Sequence, residues 1–248
     1  MKAISEICPL CNGRGLVILS ENSAAPCECT LNRSILKRFK NSRMSKPMLD
    51  CSFNKFSSKY YSKNQKDPVN GKTYYENAAE AVAGAQNFIR EVQKNPNTDG
   101  LLFSGPVGSG KTFLACAIAN SLIELKKEVL FAVVPDLLDQ IRATYDDSNE
   151  YSEQELMNAA REVSVLILDD LGAHNYTEWT RNKLYSIINY RLNNRLPTVI
   201  TTNLDLAELE AYTGERTTSR IIQMCRPYRL LVETDVRIIK RYSSMKKD

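Results

Sequence analysis

The octapeptide Gly105-Pro106-Val107-Gly108-Ser109-Gly110-Lys111-Thr112 restricts this 248-residue chain more than any other stretch. Its fixed positions satisfy G-x-x-x-x-G-K-[ST]. The three glycines let the backbone bend so that successive N–H groups turn inward around an anion. An apolar run, GLLFSG, leads into it, and Leu114, Ala117, Ile118 and Leu122 follow at helical spacing. A strand, a tight loop and a helix N-terminus form a phosphate cradle, because the helix dipole adds to the inward N–H groups. All eight residues are therefore expected to bind a nucleotide's phosphates. Lys111 would reach the β- and γ-phosphates, and the Thr112 hydroxyl would sit on Mg²⁺.

A phosphate loop of this kind needs a sheet to stand on, and the downstream pattern supplies one. Apolar runs at 128–134, 163–170 and 197–203 alternate with helical stretches at 111–126, 135–145, 153–162 and 179–194. The region 205–241 reads as helical and basic, with a short strand near 230–233. Alternating strands and helices predict an α/β fold with a mostly parallel sheet covered on both faces. Ahead of it, Ala78, Ala81, Val82, Ala85, Phe88, Ile89 and Val92 form one stripe of a helix over 75–94.

A nucleotide's metal needs a carboxylate at the end of a neighbouring strand. Val165-Leu166-Ile167-Leu168-Asp169-Asp170 provides it, with the acids emerging where α/β folds bind ligands. Asp169 is assigned to the Mg²⁺ shell and Asp170 to polarising the attacking water. Asn203, closing the strand PTVITTN, is placed to hold that water or the γ-phosphate. Arg216 and Arg220, in GERTTSR, are candidates to stabilise transition-state charge on a neighbour's nucleotide.

GPVGSGKT, LILDDLG, the TEW before a long helix, LPTVITTN and GERTTSRI together resemble the AAA+ ATPase module. The resemblance is closest to the bacterial helicase-loader group (DnaC/DnaI type) and its IstB-type relative, and spans roughly residues 100–225. It implies a five-stranded parallel sheet, ATP-dependent self-association through the ATP site and binding to a hexameric replicative helicase. It also implies a bipartite arginine finger, with Arg220 preferred and Arg216 second, and a helical region at 135–162 that meets single-stranded DNA. The second acid of the apolar strand is usually Glu in AAA+ proteins. Asp170 is one methylene shorter, so slow ATP hydrolysis is expected. The single His174 reads as a loop residue.

Four of the seven cysteines crowd into the first 29 residues: Cys8, Cys11, Cys27 and Cys29. An odd count with no secretory h-region argues against a disulfide framework. The pair Cys8/Cys11 has zinc-ribbon spacing, while Cys27/Cys29 is tighter, and four thiolates can close a tetrahedral Zn²⁺ site. About 30 residues bury little core, so a metal would supply the folding energy. The expected organisation is a zinc-binding module at 1–30, a basic linker at 31–75 with some helix at 34–41, and the ATPase domain at 76–248.

Net charge is +4, but residues 30–66 carry ten lysines and arginines against Asp50 alone. Phe53, Phe56, Tyr60 and Tyr61 follow the densest part of that block. Basic residues interleaved with aromatics can grip single-stranded nucleic acid, although here the aromatics read as packing on the ATPase domain. No apolar run approaches the ~18 residues of a membrane span, so the expected compartment is the cytoplasm. The first expectation of function is an ATPase that loads a replicative helicase onto single-stranded DNA in replication initiation. An IstB-like transposition helper and an ATP-binding adaptor without turnover are the alternatives.

Overall fold

The computed structural model describes residues 10–12, 14–20, 23–27, 44–145, 152–173 and 176–245. The expected helix at 34–41, together with Cys8, Cys29 and His174, lies outside them. A short antiparallel hairpin, β1 (Leu16–Ser20) and β2 (Ser23–Pro26), comes first. At its base, Cys27 N donates to Gly15 O at 2.8 Å and Arg14 N to Cys11 O at 2.9 Å. Both Cys11 and Cys27 are buried.

The main body is a five-stranded, wholly parallel sheet: β3 (Gly100–Ser104), β4 (Val129–Val133), β5 (Val165–Leu171), β6 (Thr198–Thr202) and β7 (Cys225–Arg229). The order across the sheet is β4-β5-β6-β3-β7. The central strands are buried except at Ser104 and Asp170 near their carboxyl ends, because helices cover both faces. On one face lie α1 (Tyr74–Lys94) and α2 (Lys111–Glu124), packing Phe88, Leu114 and Ile118 against Leu101, Phe103 and Ile167. On the other lie α3 (Val134–Ala143), α4 (Glu153–Glu162), α5 (Glu178–Asn193) and α7 (Glu215–Met224), with α6 (Leu206–Thr213) beside them. A last helix, α8 (Val236–Met245), ends the described chain. Among the described residues no helix is long and apolar enough to cross a membrane.

Local chemistry sets several boundaries. Thr73 and Glu76 form a reciprocal capping box at the start of α1. Ser152 with Glu155, and Asp205 with Glu208, do the same for α4 and α6. The last strand corrects the sequence pattern, which places a strand near 230–233. The edge strand is Cys225–Arg229, following α7 without a loop. Its Pro227 and two arginines conceal it in sequence. Among the described residues it pairs only with β3, and an edge strand tolerates proline.

Segment 44–75 lies against the sheet domain. Phe53, Phe56 and Tyr60 pack at the edge of the α1/α2 core, and Tyr61 is buried within it. The Asn120 amide, on α2, donates to the carbonyls of Met48 (3.0 Å), Leu49 (3.2 Å) and Cys51 (2.8 Å), pinning the turn Lys46–Leu49.

Arg191 is a charged side chain with none of its surface exposed. Its guanidinium donates to the carbonyls of Ala160 (3.2 Å), Arg161 (3.0 Å) and Val163 (2.8 Å) at the end of α4. It also donates to Pro197 O (2.8 Å) and Thr198 Oγ1 (2.8 Å) at the start of β6. It therefore ties the orphan carbonyls of one helix end to the mouth of a central strand. Arg191→Met leaves those buried acceptors unpaired. It is expected to destabilise the fold by about 3 kcal/mol or more, read as a lower denaturant midpoint with unchanged slope.

Candidate functional site

The sheet delivers three strand ends to one place. The loop 105–110 leaves β3 and turns directly into α2. Gly105 has φ +142°, and a Cβ there would lie 1.9 Å from Leu230 O. A Cβ on Gly108, at φ +73°, would lie 2.0 Å from the Asp235 carboxyl carbon. So the first glycine lets the loop pass the end of β7, and the second lets it touch the start of α8. Val236 N donates to Gly108 O at 3.1 Å and fixes that contact.

Lys111 is folded back onto the loop. Its ammonium donates to Gly105 O (2.7 Å) and Pro106 O (2.8 Å), with Ser109 Oγ at 3.5 Å. Burial lowers its pKa to about 8, and the nearby Asp170 and Asp169 pull the other way. An arriving phosphate supplies the anion this ammonium lacks at contact distance, and so favours its charged form.

Thr112 Oγ1 donates to the Asp169 carboxylate at 2.9 and 3.2 Å, and Thr201 Oγ1 donates to it at 2.7 Å. Asp169 is buried, and that burial raises its pKa while the two hydroxyls and Lys111 act to lower it. A buried carboxylate held only by hydroxyls suits a cation ligand. Thr112 and Asp169 are the pair that would hold Mg²⁺.

Next to it, Asp170 has φ +61°, and the β5–β6 register shifts between Leu168 and Leu171. This bulge turns the second carboxylate out of the strand. Asn203 Nδ2 donates to Asp170 Oδ1 at 2.9 Å, and Asp170 N donates to Thr201 Oγ1 at 2.9 Å. The acids thus sit within the last residues of β5, not beyond its end. Lys111, Thr112, Asp169, Asp170 and Asn203 line one cavity of ≈ 630 Å³.

The opposite wall of that cavity was hidden in the basic stretches of the sequence. Phe56 stacks on Tyr61 at 5.5 Å and leans on Phe113 at 6.0 Å. The Tyr61 hydroxyl donates to Ser109 O in the phosphate loop at 2.7 Å. From α8 come Arg237 and Lys240, three residues apart and so on one helix face. Lys240 lies over the rings of Tyr60 (5.6 Å) and Phe113 (5.7 Å), and Arg237 pairs with Asp235 at 2.7 Å. Thr201 was also missed as a site residue; it is embedded in an apolar strand, and the Thr-Thr-Asn ending was its one signal.

Arg216 and Arg220 are not part of this cavity. Both lie on α7, and Arg220 lines a separate groove of ≈ 580 Å³ with Asp99, Arg195 and Ser219. Asp99 and Arg195 precede β3 and β6, so this groove opens at the end of the sheet where those strands begin. The phosphate loop follows β3 at its other end, about 16 Å along the strand.

The acids do not end a strand next to β3, as the sequence pattern expects: β6 lies between β3 and β5, and its Thr201 bridges to Asp169. A parallel sheet in this order, carrying a phosphate loop on β3 and acids at the end of β5 one strand removed, defines an α/β P-loop nucleotide-binding protein of the AAA+ type. More narrowly, the chain belongs to the IstB-like ATP-binding protein family, whose model matches residues 82–245. It is similar to "Replicative helicase loader DnaC" of Buchnera aphidicola subsp. Baizongia pistaciae, with 28% identity over 82% of this chain and 73% of that one. It is similar to "Replicative helicase loader DnaI" of Bacillus subtilis, with 28% identity over 58% of this chain and 50% of that one. The chain thus spans about half the length of the latter relative. The solved structure "Crystal structure of the DnaC helicase loader" superposes with a TM-score of 0.60 at 26% identity, over 76% of this chain and all of that one.

The aromatic wall offers ring surface on which a flat base could stack. Phe56→Ala is expected to weaken ATP binding about tenfold while leaving binding of inorganic tripolyphosphate unchanged, both followed by calorimetry.

Proposed function

We propose that this protein is an ATP-hydrolysing helicase loader that delivers a hexameric replicative helicase to single-stranded DNA during replication initiation. The observation that carries this reading is a nucleotide site with its phosphate loop and acids at one end of the sheet and its candidate arginine at the other. Arg220 cannot reach the chain's own nucleotide, so a second subunit would complete the site, and ATP would hold subunits together. The names of the similar DnaC and DnaI proteins supply the helicase.

In the site, the loop N–H groups and Lys111 would bind and neutralise the β- and γ-phosphates. Mg²⁺, when bound, would supply further charge neutralisation beside Thr112 and Asp169. Asp170, steadied by Asn203, would orient the attacking water from a short side chain, which fits slow turnover in a switch. Between subunits, Arg220, with Arg216 one helical turn earlier, would offset charge developing on the neighbour's phosphates.

Single-stranded DNA is expected at an aromatic and cationic cluster joining the ends of α3, α4 and α5. Trp179 Nε1 donates to Tyr145 Oη at 3.0 Å, and Tyr145 remains 60% exposed. The Arg142 guanidinium lies 5.2 Å from the Trp179 ring and the Lys183 ammonium 5.6 Å, although Lys183 also pairs with Glu153 of α4, which accepts from Tyr145 as well. Flat rings flanked by cations suit unpaired bases and phosphates. An IstB-like transposition helper is the second reading, which preference for duplex DNA over single strands would favour; the match to the IstB-like ATP-binding family leaves room for it. The cytoplasm is the compartment that fits the first reading.

Zn²⁺ at Cys8, Cys11, Cys27 and Cys29 is proposed as the fold-forming ion of the first 30 residues, which would dock on the helicase. Buried Cys11 and Cys27 at the base of one hairpin fit as two of its ligands. One equivalent of zinc per chain is expected by mass spectrometry, and its loss from Cys11→Ser and Cys27→Ser with ATP binding retained. A zinc-free native protein contradicts this.

The loader reading is tested by co-purification with the hexameric helicase of the native host. A complex is expected with ATP, and its absence with and without ATP overturns the reading. With helicase and single-stranded DNA present, phosphate release should exceed that of Lys111→Ala; equal rates would identify a non-hydrolysing adaptor.

A further inference from the structure

We propose that Tyr185 and Asn189, both on α5, are positioning residues that hold Arg220 ready for a neighbouring subunit's nucleotide. This rests on the reading of Arg220 as an arginine supplied between subunits. A free arginine side chain samples many rotamers and loses that entropy when it is ordered. An arginine that must meet a phosphate across an interface gains by being fixed beforehand.

Arg220 is fixed on two edges and one face. Its Nε donates to Asn189 Oδ1 at 2.8 Å. Its Nη1 donates to the Arg216 carbonyl one turn back on α7, at 2.9 Å. Its guanidinium carbon lies 4.7 Å from the centre of the Tyr185 ring. Tyr185 and Asn189 are four residues apart, so they share one face of α5. Arg220 is only partly buried and lines the groove that opens at the sheet end remote from its own phosphate loop.

The chemistry of the holders is the informative part. An amide oxygen, a peptide carbonyl and a phenol ring all orient a guanidinium, and none of them neutralises it. A carboxylate at 189 would make a stronger hydrogen bond in the same place. It would also satisfy within the chain the charge that a phosphate in the next subunit needs. A purely architectural contact between α5 and α7 gains from that carboxylate, whereas an arginine on offer to a partner is disabled by it.

This gives a near-isosteric test, run on the full chain with helicase and single-stranded DNA present. Asn189→Asp is expected to retain its thermal midpoint and to bind ATP within about twofold of wild type. Its turnover number should fall at least about tenfold, the direction seen whenever an arginine finger is withdrawn. Tyr185→Leu should lower turnover with the same unchanged affinity, and Tyr185→Phe should recover most of it. Mixing Asn189→Asp with Lys111→Ala should restore turnover. In mixed assemblies the Lys111→Ala subunit brings a correctly held Arg220 to the Asn189→Asp subunit's intact phosphate loop.

If Arg220→Ala hydrolyses ATP as fast as wild type, or wild type shows no turnover, the underlying reading of Arg220 falls. If Arg220→Ala loses turnover but Asn189→Asp and Tyr185→Leu keep it, the positioning roles are overturned and Arg220 acts without them. Loss of turnover in Asn189→Asp that mixing fails to restore also overturns the inference, because the defect then lies within one subunit.

Discussion

The carboxylate of Asp169 is the point on which the rest of the structure converges. It is buried, held by Thr112 from α2 and by Thr201 from β6. Those two hydroxyls join the phosphate loop to two strands at the end of the sheet. Burying an anion without a cation at contact is costly. The arrangement is stable because hydroxyl donors surround the carboxylate and Lys111 lies near, folded onto the loop's own carbonyls. Both groups are therefore arranged for partners they do not supply to each other: a cation for Asp169 and a phosphate for Lys111. Nucleotide with metal satisfies the two together, so one binding event can reorganise the whole junction.

That junction includes both ends of the described sheet domain. Tyr61 hydrogen-bonds to the phosphate loop from the N-terminal side, and Val236 does so from the C-terminal side. Residues 44–61 are held on α2 by Asn120, and α8 carries Arg237 and Lys240 into the same cavity. The segment that leads back towards the cysteine hairpin and the last helix thus both contact the loop directly. A switch that hands over a partner needs this kind of physical connection between its nucleotide and its surfaces.

Much of this was legible in sequence because it is local. GPVGSGKT needs a strand before it and a helix after it. LILDD needs a buried strand ending in acids, and TTN needs a strand end beside it. These stretches placed Lys111, Thr112, Asp169, Asp170 and Asn203 in one site, and the alternation of elements gave the parallel sheet. What stayed hidden depends on long-range contact. Phe56 and Tyr61 are expected from the sequence to pack on the ATPase domain, but that this packing makes them a wall of the nucleotide cavity follows only from where the segment docks on α2. Arg237 is one basic residue among many in the tail until α8 touches Gly108. CRPYR shows no apolar alternation, and only its place at the sheet edge makes it a strand. Arg220 could be named from its motif, but its separation from its own phosphate loop is a property of the folded sheet.

The central claim is that nucleotide at the phosphate loop grips the chain on both sides of it. Hydrogen–deuterium exchange with and without Mg²⁺-ATP measures this directly, with Lys111→Ala as the control. Slower exchange is expected in residues 44–61 and 236–245 together with 105–112, and in none of the three in the control. Protection confined to 105–112, with both flanking segments exchanging as in the nucleotide-free protein, would contradict it.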